Sequence, residues 1–140
     1  MNIAHQYAEL VQFGGKPIWS EAIYELSEVI KRQQAEHVLI GDWGIEHQLI
    51  LLSHNRLPMW AVPFASPEDP EALRAVVHAL EQPNTILVRF ASAELSPSPI
   101  QHELVDQAAH TSGHVLRLLH TIEDKQRRII YHIYRVHPDQ

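Results

Sequence analysis

The chain contains no cysteine, which excludes disulfide cross-links and thiolate metal sites together. The compartment stays open, because a cysteine-free chain suits an oxidising space as well as the cytosol. Glycine is sparse, at five residues, and neither Gly-x-Gly-x-x-Gly nor Gly-x-Ser-x-Gly occurs. A dinucleotide fingerprint and a nucleophile elbow are therefore missing. Basic residues are also few: 11 Lys and Arg against 17 Asp and Glu leave a net charge of -6. No basic stripe offsets that charge, which argues against a nucleic-acid partner. The nearest candidate, Lys125, Arg127 and Arg128, reads as a solvated hairpin turn. Long apolar runs are absent too. None approaches the roughly 18 residues of a membrane-crossing helix, and Leu49 to Leu52 belongs to an amphipathic helix. The N-terminus lacks the basic-then-apolar order of a secretory signal, so the chain is expected to be a soluble piece.

What is present is a regular alternation of strand and helix. The 140 residues fit a single domain over 1–140, large enough for one core. Ile3, Tyr7, Leu10 and Val11 recur at helical spacing and predict a helical lead-in over 1–13, broken by Gly14-Gly15-Lys16-Pro17. Ser20 stands where an N-cap belongs, ahead of a face of Ile23, Leu26, Val29 and Ile30. His37 to Gly41 reads as a strand covered on both sides. The pattern then repeats: a helix from about Ile45 to His54, a strand over Met59 to Phe64, a helix opened by Pro67 to Pro70 and a strand over Thr85 to Phe90. A fourth helix carries Ile100, Leu104, Val105 and Ala108 and stops at Gly113. Val115 to Ile122 and Ile129 to Val136 are joined by a turn too short for a crossover, so they must pair antiparallel. Together these predict a three-layer α/β/α Rossmann-like sandwich of about five strands, with a mostly parallel sheet ending in an antiparallel hairpin.

Ligands of open α/β sheets usually sit beyond the strand C-termini, which draws attention to Val38-Leu39-Ile40-Gly41-Asp42-Trp43-Gly44. We read Asp42 first as a cap on the following helix. The competing role is ligand binding to a sugar or ribose hydroxyl by Asp42, Trp43, Gly44 and Arg89. The eleven histidines do not form a metal motif. His110 and His114 are separated by Gly113, and His114, His120 and His132 lack a carboxylate partner. Ser53, Ser92 and Ser112 have no elbow, and Glu68 with Asp69 opens a helix, where the dipole favours acids without catalysis. Trp60 and Tyr24 are assigned to the core or an interface. No catalytic residue, metal or cofactor is assigned.

Three segments carry a resemblance: Gly14 to Leu26 (Gly-Gly-Lys-Pro-Ile-Trp-Ser-Glu-Ala-Ile-Tyr-Glu-Leu), Gly41 to Leu49 (Gly-Asp-Trp-Gly-Ile-Glu-His-Gln-Leu) and Tyr131 to Val136 (Tyr-His-Ile-Tyr-Arg-Val). The sequence resembles the soluble C-terminal region that follows the transmembrane helices in some bacterial membrane glycosyltransferases of the dolichyl-phosphate-mannose protein mannosyltransferase-like class. The resemblance implies an extracytoplasmic, non-catalytic accessory domain on an enzyme using a polyprenyl-phosphate sugar donor. Its partner would be the membrane-spanning part of its own parent chain, with a homo-oligomer as a further partner. The acidic catalytic loops of that class match nothing in this sequence, so no catalytic residue carries over. The alternatives are a free-standing Rossmann-like module or enzyme for a nucleotide or sugar, and a protein interaction domain.

Overall fold

A computed structural model describes residues 12–13, 16–17, 22–42, 44–53, 57–92, 94–96 and 98–138. Two short strands, β1 (Gln12–Phe13) and β2 (Lys16–Pro17), pair antiparallel. Gln12 and Phe13 were expected at the end of a helical lead-in and instead form one side of this ribbon. The intervening Gly-Gly is a sequence suited to a tight hairpin turn. The rest of that lead-in, residues 1–11, and the Ser20 cap lie outside the described residues.

The main unit runs α1 (Ala22–Gln33), β3 (His37–Ile40), α2 (Ile45–Ser53), β4 (Met59–Ala61), α3 (Pro70–Leu80), β5 (Thr85–Phe90), α4 (Pro99–Ser112), β6 (His114–Glu123) and β7 (Ile129–Pro138). Helix ends follow local chemistry. Asp69 caps α3 by accepting from the Glu71 and Ala72 N–H groups, with Pro70 in the first turn. At the far end of α4, Gly113 takes a left-handed conformation, φ 69°, which ends the helix at little steric cost. β4 is shorter than the predicted Met59 to Phe64. Pro63 has no N–H to give a ladder, although the Val62 N–H still reaches the Ile40 carbonyl at 2.9 Å.

The five strands lie in the order β4-β3-β5-β7-β6. β3 is parallel to both β4 and β5, while β5–β7 and β6–β7 are antiparallel. The sheet is therefore mixed rather than mostly parallel. The terminal hairpin forms as the short turn required, but it docks through β7 and so adds a second antiparallel ladder. The apolar load explains which strand goes inside. Ile130, Tyr131 and Ile133 on β7 are buried, whereas β6 buries Ile122 and leaves Val115 and Leu118 exposed.

Alternate strand residues serve two cores. Val38, Ile40, Ile86, Val88 and Phe90 pack with Ile23, Leu26 and Ile30 of α1 and Ile45 and Leu49 of α2. Leu39 and Leu87 pack with Val76 and Leu80 of α3 and Leu104, Val105 and Ala108 of α4. Side chains of this kind contribute roughly 1.5–3 kcal/mol each on full burial, so the two apolar faces dominate the stability of the sheet.

Candidate functional site

The chain leaves β3 for β4 on one side and then crosses back to place β5 on the other side of β3. The C-terminal ends of β3 and β5 therefore flank a topological switch point, where sheets of this type bind ligands. Asp42 stands there, one residue beyond Gly41 at the end of β3, and is 2% exposed. It does not cap the next helix: α2 opens at Ile45, which puts Gly44 at the N-cap position. Gly44, with φ 92°, supplies the turn between the two.

The Asp42 carboxylate instead faces inward. One oxygen, Oδ2, accepts from the Phe90 N–H at 2.6 Å and lies 2.7 Å from His102 Nε2. The other, Oδ1, accepts from the Ser96 hydroxyl, which in turn accepts from the Ser98 N–H at 2.9 Å. An ionised carboxylate can only accept, so His102 Nε2 carries the proton in this contact. The network ties the end of β3 to the end of β5, to the loop 94–96 and to the first turns of α4. Below it, Tyr131 stacks on Phe90 with ring centroids 5.2 Å apart. Burial, with the nearby Asp42 charge second, pushes the Tyr131 phenol far above its ordinary range. Among the described residues its hydroxyl has no hydrogen-bond partner, and neither does the side-chain amide of buried Gln48.

Ser, His and Asp are the residue types of a nucleophilic triad, but the order here is wrong for one. A triad needs histidine between serine and aspartate, taking the serine proton. Here Ser96 and His102 both turn their protons to Asp42, so the carboxylate is a tether and the serine hydroxyl is held as a donor.

Two of the residues considered as one ligand site, Asp42 and Arg89, have different surroundings. Arg89 points to the α4 side, where it pairs with Asp106 at 2.9 Å and its guanidinium carbon lies 5.1 Å from the Tyr134 ring centroid. Asp42 and Arg89 thus have separate partners, and Trp43 lies outside the described residues. The histidines are dispersed by strand alternation. His120 opposes Ile133 and contacts Gln33 of α1, whereas His132 opposes Thr121 and contacts Tyr134. His114 contacts Ser112 at the start of β6. Among the described residues no three His, Asp or Glu side chains converge on a metal-holding arrangement. Burial first and the Arg89 charge second hold the His132 ring below its ordinary pKa.

Sequence reading passed over Ser96 and His102, whose partner lies 54 and 60 positions away. The only local signal was the Ser-Pro-Ser-Pro loop leading into a helix with a histidine in its first turns. Of the two places offered for Trp60, core or interface, the core is ruled out: Trp60 is 38% exposed beside a hollow at the other end of the sheet. No protein-family model and no curated protein matches this sequence.

Proposed function

We propose that this chain is a non-catalytic accessory domain of a membrane glycosyltransferase that draws on a polyprenyl-phosphate sugar donor, built as a three-layer α/β/α Rossmann-like sandwich. The observation that carries the non-catalytic part is the Asp42 network. The acidic group at the switch point is buried and engaged through both oxygens, so it is held by the chain's own groups rather than offered to a ligand. The sequence resemblance over Gly14 to Leu26, Gly41 to Leu49 and Tyr131 to Val136 supplies the parent enzyme and the extracytoplasmic side of the membrane. Among the described residues no helix is long and apolar enough to cross a membrane, so the spans of the parent would lie outside them. The Arg89–Asp106 pairing weighs against the rival reading, a binding module with its ligand held between Asp42 and Arg89.

The test is the full reading frame, expressed with an epitope tag and fractionated. The expected result is a protein that sediments with membranes, with this domain cleaved by protease added to the extracytoplasmic side. Deleting the domain should leave the membrane part assembled and reduce glycosyl transfer to acceptor without abolishing it. A frame that encodes no membrane span, with its product in the soluble fraction, would refute the proposal.

A further inference from the structure

Away from Asp42, at the N-terminal ends of the strands, lies a hollow of about 340 Å³. That is the small end of the range for ligand pockets, roughly 300–1,000 Å³. Its floor is His37 and Leu39 of β3, one wall is Pro58 and Trp60, and the other is Ala75, His78, Ala79 and Gln82 from α3 and its C-terminal extension. The helical wall follows from spacing, since 75, 78, 79 and 82 share one helix flank. Two of those positions are alanine, which leaves a slot opposite the indole. Trp60 is opposite Leu39 in the parallel register, so the indole lies on the α3 side of the edge strand with part of its surface open.

The polar side chains of the hollow are His37, His78 and Gln82. Gln82 Nε2 donates to the His78 carbonyl at 3.2 Å and lies 3.3 Å from His78 Nε2. A carbonyl only accepts, so this amide atom is the NH2, and its second proton goes to His78 Nε2. The His78 ring is thereby the neutral tautomer with its proton on Nδ1. Gln82 Oε1 remains as an acceptor and His78 Nδ1–H as a donor. No carboxylate, ammonium or guanidinium group is among the lining residues, which favours a neutral ligand over a phosphate ester or an amine. A peptide strand added to β4 would find only three ladder residues, bracketed by Pro58 and Pro63, and proline blunts an edge in this way.

We propose that this hollow binds a neutral sugar ring, stacked on Trp60 and hydrogen-bonded through its hydroxyls to Gln82, His78 and His37. A pyranose presents the two surfaces the site asks for: an apolar C–H face for the indole and a rim of paired donors and acceptors for an amide and imidazoles. The inference deepens the accessory-domain reading only in the choice of sugar, and it stands on a different site from the Asp42 network.

The experiment follows the tryptophan indole N–H signals of the whole chain by NMR during titration with methyl α-glucopyranoside, methyl α-mannopyranoside and glucose 6-phosphate. Trp60→Phe assigns the relevant signal. At least one neutral glycoside should shift it saturably, in the millimolar range usual for one small ring. Trp60→Ala, read by saturation transfer to the glycoside protons because its own indole signal is gone, should weaken binding by roughly tenfold, the ratio that about 1.4 kcal/mol of aromatic contact sets. Ala79→Leu, which fills the slot while leaving Trp60 in place, should abolish it, and circular dichroism checks that both variants fold. Octyl glucoside below its micelle concentration separates the sources. Equal affinity with the methyl glycoside points to a free or protein-linked glycan, and clearly tighter binding to a lipid-linked sugar, both within the proposal. No shift at Trp60 with either neutral glycoside, binding that survives Ala79→Leu, or a clear preference for the phosphate would overturn it. Silence at Trp60 with a membrane-spanning parent sinks this inference alone, while glycoside binding by a chain with no such parent sinks the accessory-domain reading alone.

Discussion

Replacing Asp42 by asparagine tests the buried network because the change preserves shape and removes only the ability to accept from every direction. Three donors converge on the carboxylate: the Phe90 N–H, the Ser96 hydroxyl and His102 Nε2. An asparagine side chain offers one neutral oxygen, so its NH2 either meets the Phe90 N–H donor against donor or turns to Ser96, whose hydroxyl must then give up its donor role. Hydrogen bonds to a charged group contribute about 1.5–3 kcal/mol, and a buried donor left unpaired costs about 1–3 kcal/mol. Asp42→Asn is therefore expected to cost about 2–4 kcal/mol. Asp42→Ala, which strands all three donors and breaks a buried His–Asp contact, should cost about 3–5 kcal/mol. For a domain of this size each kcal/mol lowers Tm by roughly 3–4 °C, so the asparagine variant should melt roughly 6–16 °C below the parent. Urea unfolding followed by circular dichroism gives the free energies, with an unchanged m value confirming that only stability moved. A double-mutant cycle with His102→Asn should return a coupling of about 1–3 kcal/mol. An aspartate that merely capped α2 would predict the opposite pattern, since asparagine caps a helix about as well. An Asp42→Asn variant within about 0.5 kcal/mol of the parent, the range of an ordinary surface substitution, would refute the network as described.

At the start of α3 that capping pattern is the expected one: Asp69→Asn should be nearly neutral in urea unfolding, and Asp69→Ala should cost about 0.5–2 kcal/mol. Gly113→Ala should cost about 1–2 kcal/mol, purely through its left-handed backbone, because a Cβ there meets nothing within 4 Å; a neutral result in the same assay would show that α4 ends differently. His132 sets a pH dependence. Its folded pKa lies below the ordinary 6.5, so the folded chain binds fewer protons than the unfolded chain and this stabilisation is complete above pH 6.5. Stability should fall as pH drops through 6.5 toward the folded value; imidazole NMR titration reads the shift, and His132→Gln should remove that part of the pH dependence.

The elements were legible where local rules decide them. The Leu104, Val105 and Ala108 stripe, the Pro70 and Gly113 boundaries and the Glu123 to Gln126 turn each depend on neighbours within a few residues. Strand order was not legible, because the choice of β7 over β6 as the neighbour of β5 rests on burial summed over the whole sheet. The same limit hid the site. Asp42 is visible as an acid at a strand end, but its inward turn depends on Ser96 and His102, which reach it only after β5 and α4 are in place. Trp60 presents a similar problem: an aromatic in an apolar strand looks like core until the strand is known to be an edge and the facing helix to carry Ala75 and Ala79.

The position of β7 between β5 and β6 also has a consequence for synthesis. β5 is complete by Phe90, yet one whole side of its ladder waits for residues 131–135. A nascent chain that has emerged only as far as the 124–128 turn presents Ile86, Val88 and Phe90 along an open strand edge, the kind of surface that templates pairing with another chain. The β3-α2-β4-α3-β5 unit has all its own strands once Phe90 has emerged, but it cannot close until the last hairpin strand arrives. Ribosomal pausing within the final hairpin codons would thus lengthen the interval of greatest aggregation risk, whereas pausing before β5 would not.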